Sequence, residues 1–309
     1  MSEPFLLAAS LLTAASPAVP PPQPTGLDSL KAMLTASRKS DRAVPVARAT
    51  VSTLERLEPE FSQGTGVSEL EPVSGSQLYQ QRWMALQAGK LFTRLTPGSF
   101  APAWANTTEQ PTHQQWQALL AREARAVVKG QGTNRLNILV GDSLSLWYPS
   151  QFLPGGKFWL NQGISGENSG QILKRLPALD FNRPQTIYVM AGINDLRQGA
   201  SDREILDNLR AIARHLRNAH PNSEIVLQSI LPTRNPNLSN ARIRSLNRQL
   251  VLVARAEGVS YLNLHDRFAD EQGQMRADLT TDGLHLNRRG YEVWQAALEE
   301  AEAWIAVHR

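Results

Sequence analysis

The sequence of 309 residues contains no cysteine. This absence excludes disulfides, cysteine-ligated zinc, iron–sulfur clusters and thiol nucleophiles, and it leaves the redox compartment open. Charge of one sign is not concentrated either, because 28 Asp and Glu residues balance 32 Lys and Arg residues and neither sign forms a long block. Arginine pairs such as Arg288 and Arg289 lie in segments of helical periodicity. We interpret them as solvated helix faces and expect no nucleic-acid partner.

The sequence also has no apolar run at its start that is long enough to span a membrane. Residues 5–16 are mostly apolar, but a membrane-spanning helix needs about 20 such residues. The run has the length of a signal-peptide core, with Ala14, Ala15 and Ala18 as small residues for cleavage, yet Glu3 stands where a signal peptide has basic residues. The sequence leaves the location open between the cytoplasm and export to the cell envelope, and it gives no evidence of membrane association.

Two regions precede the part of the chain that carries candidate chemistry. Residues 1–76 combine the signal-like run with a stretch rich in Pro, Ser, Thr, Ala and Gly. We expect them to be largely disordered, with one short helix at 47–57. Residues 77–130 have apolar side chains at helical spacing over 77–95 and again after Thr112. This spacing predicts a helical extension made of two amphipathic helices.

The second helix of the extension is also indicated by its ends. Thr112 and Gln115 form a capping-box pattern, and Gly130 supplies a stop. Each of the two helices carries a tryptophan, Trp83 in the first and Trp116 in the second. We expect both tryptophans to pack on the domain that follows.

After residue 134, short β-rich apolar runs alternate with helical patterns. The predicted strands are 136–140, 158–160, 186–190, 224–230 and 259–264. The predicted helices are 171–179, 202–219, 239–257 and 287–307. Strands separated by helices of this length predict an α/β fold with a five-stranded parallel sheet, occupying a domain at 131–309. In such folds, ligands bind beyond the carboxyl ends of the strands.

The first two strands end in segments that suit acyl transfer. The segment 141–144 reads Gly-Asp-Ser-Leu, and a serine at a strand-to-helix turn can offer both a nucleophilic hydroxyl and an oxyanion-binding N–H. The segment 161–166 reads Asn-Gln-Gly-Ile-Ser-Gly, where two glycines indicate close backbone approach or positive φ. The alternatives are a turn followed by a helix cap for the first segment and a flexible loop for the second.

Two further segments supply a side-chain amide and an acid–base pair. The third strand leads into Asn194, whose amide can donate to a developing negative charge or can cap a helix. Asp282 and His285 stand three residues apart, close enough for the acid to orient the imidazole. Structural roles are predicted for the other five histidines, which are His113, His215, His220, His265 and His308.

The four segments together resemble the SGNH (GDSL) hydrolase family, in its acetylhydrolase-like and esterase-like branch. The resemblance covers residues 135–305 and implies a flavodoxin-like α/β/α sandwich. It implies ester hydrolysis through an acyl-enzyme without a metal or other cofactor. In that family pattern, Ser143 is the nucleophile, His285 the base and Asp282 the orienting acid. The oxyanion hole is then formed by the N–H groups of Ser143 and Gly166 and the side chain of Asn194.

These observations predict a serine esterase that removes O-acyl groups, and O-acetyl groups in particular, from carbohydrates or other small molecules. One alternative is a thioesterase or lysophospholipase for longer acyl chains. Another is a transacylase or an inactive binding protein. Trp147 and Tyr148 follow the nucleophile and either wall the cleft or pack in the core. The sequence makes no prediction of oligomeric state.

Overall fold

The computed structural model describes residues 71–308. The signal-like run at 5–16 and the short helix expected at 47–57 lie outside the described residues. Five strands form one parallel sheet in the order β2-β1-β3-β4-β5. The strands are β1 (Leu136–Gly141), β2 (Phe158–Gly163), β3 (Thr186–Val189), β4 (Glu224–Gln228) and β5 (Ser260–Leu262). This strand order is that of the flavodoxin-like folds, so the predicted fold class is confirmed.

Helices cover both faces of the sheet. They are α1 (Gly75–Gln87), α2 (Ala101–Trp104), α3 (His113–Gly130), α4 (Ser143–Leu146), α5 (Ser169–Arg175), α6 (Ile193–Arg197), α7 (Asp202–Ala219), α8 (Asn240–Glu257), α9 (His265–Phe268) and α10 (Arg288–His308). Neighbouring residues of β1 point to opposite faces, as the twofold period of a strand requires. Ile138 packs in one core with residues of α7 and α8, and Leu139 packs in the other with residues of α10. A parallel sheet buried on both faces explains the continuous apolar runs in its strands.

The long helices follow their sequence signals closely. The predicted helix 202–219 matches α7, and the Thr112 and Gln115 capping box at the start of α3 is formed in both directions. The helix predicted over 77–95 is too long, however, because α1 ends at Gln87. Gly89 has a φ of 64° and turns the chain, while the N–H of Lys90 bonds the carbonyl of Ala85 at 2.8 Å. This is a Schellman stop, which ends a helix whatever apolar spacing follows it.

Two other boundaries differ for identifiable reasons. The helix predicted over 171–179 divides into α5 and a 3₁₀ turn at Leu176–Leu179, because Pro177 cannot continue the α-helical hydrogen bonds. Strand β2 runs to Gly163 rather than to residue 160. Its polar end stays in the sheet because it is paired with the end of β1, where Gly163 lies opposite Gly141.

The helical extension packs along the outer edge of β2. Edge strands present unpaired backbone groups on one side, and here side chains of the extension bond two of them. Thr93 Oγ1 donates to the carbonyl of Trp159 at 2.5 Å, and Arg82 donates to the carbonyl of Asn161 at 2.7 Å. Trp116 is buried in the same core as Trp159, as expected. Trp83 packs against that core and under the guanidinium of Arg122, which belongs to the extension itself.

Candidate active site

Ser143 lies at the turn from β1 into α4, of which it is the first residue. Asp142 caps the helix by accepting the N–H of Leu144 at 3.0 Å. Gly141 is required here, because an added Cβ would lie 2.2 Å from Ser145 Oγ and 2.7 Å from the carbonyl oxygen of Met190. The serine is thus held at the carboxyl end of the sheet with its side chain only partly covered.

The Asp282–His285 segment folds back as a tight loop. Asp282 Oδ1 accepts the backbone N–H groups of Leu284 at 2.9 Å and His285 at 2.7 Å, while Oδ2 lies 2.7 Å from His285 Nδ1. The turn uses Gly283, whose φ is 86°. The carboxylate therefore bonds both the backbone and the ring of the same histidine, which fixes the orientation of the imidazole.

The imidazole bridges the acid and the serine, since His285 Nε2 lies 3.2 Å from Ser143 Oγ. Burial opposes ionisation of Asp282, but hydrogen bonds from the ring and backbone N–H of His285 outweigh it and hold the pKa of that carboxyl well below its usual range. An ionised carboxylate only accepts hydrogen bonds, so Nδ1 must carry the proton that it receives. In the neutral ring Nε2 is then an acceptor, and the Ser143 hydroxyl donates to it.

Gly163 ends β2 and Gly166 follows it, and the two glycines meet the two needs that the sequence suggested. At Gly163 an added Cβ would lie 2.2 Å from the backbone nitrogen of Leu146, so the strand end and α4 touch through the missing side chain. Gly166 has a φ of 78° and is exposed, and an added Cβ would meet nothing within 4 Å. Gly163 therefore serves close approach, whereas Gly166 serves positive φ.

Asn194 lies buried in the first turn of α6, after β3. Its Nδ2 donates to the carbonyl of Glu167 at 3.1 Å, and its Oδ1 accepts from Arg197 at 3.0 Å. One of the two Nδ2 hydrogens thus remains for a ligand. Because β1 pairs with both β2 and β3, the loops that carry Gly166 and Asn194 flank the Ser143 turn.

Comparison with known proteins identifies the family of this chain. Residues 140–293 match the model of the GDSL-like lipase/acylhydrolase family. The chain belongs to this family. This GDSL hydrolase is therefore an ester hydrolase that acts on small-molecule esters, and the predicted family and enzyme class are confirmed.

Solved structures related to the GDSL hydrolase share its fold. A protein from Streptococcus pneumonia, provisionally described as a platelet activating factor, is 29% identical with a TM-score of 0.56, and the match covers 61% of this chain and 93% of that one. A GDSL-like lipase from Bacteroides thetaiotaomicron is 20% identical with a TM-score of 0.51, covering 62% and 100%. The search of curated proteins gave no match. None of the helices in residues 71–308 combines the length and apolarity that a membrane span needs.

The GDSL hydrolase also has buried residues whose surroundings the sequence did not decide. Tyr148 is buried and packs edge-to-face on Tyr291 and Trp294, with ring centroids 5.4 and 5.1 Å away, so of its two open roles the core role holds. His220, for which a structural role was predicted, is buried where the chain turns from α7 towards β4, at the end of the sheet opposite Ser143. Burial raises the pKa of Asp142 to about 6.

Sequence reasoning missed the polar residues behind Gly166 and Asn194. The carboxylate of Glu167 lies between Arg175 and His113. Ser169 donates its backbone N–H and its hydroxyl to the carboxylate of Asp195. The available signal was Glu167 directly after Gly166, together with Arg175 eight residues later. The sequence alone does not show that these two residues form an ion pair.

Proposed function

We propose that this GDSL hydrolase is a serine esterase with Ser143 as nucleophile, His285 as general base and Asp282 as the acid that orients it. The observation that supports this most directly is the continuous hydrogen-bonded relay, with 3.2 Å from Ser143 Oγ to His285 Nε2 and 2.7 Å from Nδ1 to Asp282. These distances suit proton transfer without further rearrangement.

In this mechanism Ser143 Oγ attacks the ester carbonyl while His285 Nε2 takes its proton. The tetrahedral intermediate collapses, the alcohol leaves with that proton, and the acyl group stays on Oγ. Water then attacks the acyl-enzyme while His285 takes a proton from it. The bond between Oγ and the acyl carbon breaks, the acid leaves, and His285 returns the proton to Ser143 Oγ. Asp282 remains ionised throughout, because its pKa is held well below the usual range, and it stabilises the imidazolium in both steps.

The oxyanion hole in this proposal combines two backbone N–H groups and one side-chain amide. Ser143 contributes an N–H from the first turn of α4, where helical N–H groups have no partner within the helix. Gly166 offers an N–H from the exposed turn after β2, and Asn194 offers the second hydrogen of Nδ2. Each such donor stabilises the transition state by about 3 kcal/mol.

We further propose that residues 131–309 are the catalytic domain and that 77–130 are a helical extension of it. The extension supports this assignment by its position, because its side chains bond the backbone of β2 while the strands and the candidate site all lie after residue 135.

For the acyl group, we propose a short one, with acetyl as the preferred case. A small, mostly apolar cavity lies beside the site, and its walls include Leu144 and Leu284, the direct neighbours of the nucleophile and the base. Since Tyr148 is in the core, the proposal that the alcohol portion is a carbohydrate or another small molecule rests on the family resemblance.

The decisive experiment measures hydrolysis of para-nitrophenyl acetate by the wild-type protein and by Ser143→Ala. Loss of such a nucleophile costs on the order of 10⁶-fold in kcat, so the variant should be inactive and should no longer react with a fluorophosphonate probe. Unchanged turnover in Ser143→Ala would refute the proposal. A wild-type protein that the probe does not label would instead indicate an inactive binding protein.

The same substrate series identifies the acyl group. We expect kcat/KM to fall steadily from acetyl to longer para-nitrophenyl esters. A preference for chains of eight or more carbons would favour a thioesterase or lysophospholipase, and product transfer to an added alcohol in preference to water would favour a transacylase. A screen of acetylated sugars and small acetyl esters then defines the alcohol.

A further inference from the structure

Glu167 directly follows Gly166, yet its side chain is fully buried. Its Oε2 accepts from Arg175 Nε at 2.6 Å, and its Oε1 lies 2.8 Å from His113 Nε2. Arg175 is itself buried and also donates to the carbonyl oxygens of Gly141 at 3.2 Å and Gln162 at 2.6 Å. The Glu167 carboxylate is therefore joined through Arg175 to the ends of β1 and β2, where the site is built.

The backbone of Glu167 reaches the other side of the site. Its carbonyl oxygen accepts the Nδ2 hydrogen of Asn194 at 3.1 Å, which leaves the second hydrogen of that amide for a ligand. Gln198, in the turn after α6, donates to the carbonyl of Gly166 at 3.3 Å. One residue thus adjoins both Gly166 and Asn194, so a shift of Glu167 moves two of the three proposed oxyanion donors together.

The third partner of this carboxylate comes from the helical extension. His113 is the first residue of α3, and its side chain is 41% exposed. Because Glu167 Oε1 is an acceptor that lies opposite His113 Nε2, the ring must donate through that nitrogen. A residue of the extension, 54 positions earlier in the chain, therefore holds the buried acid behind the oxyanion loop.

We propose that Glu167 and His113 are positioning residues for the oxyanion hole, and that the extension thereby sets the turnover rate of the esterase. The inference rests on the proposed roles of Gly166 and Asn194. His113 acts by hydrogen bonding to Glu167 and does not touch the reacting atoms. It fixes one end of a rigid unit, and Arg175 fixes the other.

The test compares His113→Ala with His113→Gln, whose side-chain amide can still donate to Glu167. Oxyanion donors act mainly in the transition state, so His113→Ala should leave KM nearly unchanged. It should lower kcat about tenfold, because a small misplacement of catalytic groups costs up to about a hundredfold in rate. His113→Gln should recover most of the loss. Gln114→Ala, at the exposed neighbouring position of the same helix turn, is the matched control and should behave as wild type.

The measurement is kcat per labelled serine, obtained by titrating each variant with a fluorophosphonate probe. A merely structural role for His113 would lower the melting temperature and the labelled fraction while leaving kcat per labelled site unchanged, and that result would overturn the inference. If His113→Ala does not fold, His113→Phe, which keeps a ring but no donor, takes its place.

A double-mutant cycle separates the inference from the proposed function. In an Asn194→Ala background, one of the donors that His113 positions is already lost, so His113→Ala should cost at most a few-fold more. Full additivity of the two effects would contradict the proposed coupling. Failure of the wild-type protein to label at all would instead reject the serine mechanism on which the inference rests.

Discussion

Replacing Asp282 by asparagine tests the orienting acid with the least change in shape. In the native loop, Oδ1 accepts two backbone N–H groups, from Leu284 and His285, while Oδ2 faces the protonated Nδ1 of His285. An asparagine must keep its oxygen towards the two N–H groups, because turning the amide would set its NH₂ against two donors. Its NH₂ group then faces Nδ1 of the imidazole.

This arrangement reverses the tautomer of His285. Nδ1 must now accept a hydrogen bond, so the proton moves to Nε2, the nitrogen that should receive the Ser143 proton. A base presented in the wrong tautomer costs about 10⁴-fold in kcat, or about 5.4 kcal/mol of transition-state stabilisation. The Asp282→Asn protein should remain folded, since both backbone hydrogen bonds to the loop persist.

The assay is steady-state hydrolysis of para-nitrophenyl acetate at neutral pH, with urea unfolding as the control for stability. Asp282→Ala is the informative comparison, because it removes the acid without imposing the wrong tautomer but also removes the two backbone hydrogen bonds. We expect Asp282→Ala to lose more stability than Asp282→Asn. Activity of Asp282→Asn within tenfold of wild type, with the fold intact, would refute the role given to the acid.

Two further changes test the packing and electrostatics around the nucleophile. Gly163→Ala places a Cβ 2.2 Å from the backbone nitrogen of Leu146 and should lower the free energy of unfolding by about 3 kcal/mol, as overpacking does; a loss below about 0.5 kcal/mol in urea unfolding would contradict this. For Asp142, burial raises the pKa to about 6. As the pH rises from about 4 through 6, the carboxyl ionises in the unfolded state but stays protonated in the native state, so the free energy of unfolding falls. Relative to wild type, Asp142→Asn should therefore gain up to about 3 kcal/mol between pH 4 and 8, and a stability difference that does not change with pH would reject the burial argument.

The parts of the site that sequence could predict are those encoded over a few residues. Asp282 and His285 lie within one turn of loop, and Ser143 stands between an apolar strand and a helical start. The short spacing within each segment therefore determines most of the local geometry of these residues. The direct contact between Ser143 and His285 was implied only by the family resemblance, because 142 residues separate them.

The parts that sequence could not predict depend on tertiary context. His113 and Glu167 lie 54 positions apart in segments with separate local signals, and nothing in either segment indicates that the two side chains are hydrogen-bonded. The polar end of β2 reads as a loop until the register with β1 places Gly163 opposite Gly141. Gly89 reads as a tolerated residue in a helical pattern until its positive φ ends α1.

The contact of the extension with β2 has a consequence for association between molecules. An exposed parallel edge can recruit a strand from another chain and begin aggregation. Thr93 and Arg82 bond the outward carbonyls of Trp159 and Asn161 through side-chain donors. A side-chain donor, unlike an added strand, presents no further row of backbone groups with which the next chain could pair. The same residues that attach the extension thus act as a block against edge-to-edge growth of the sheet.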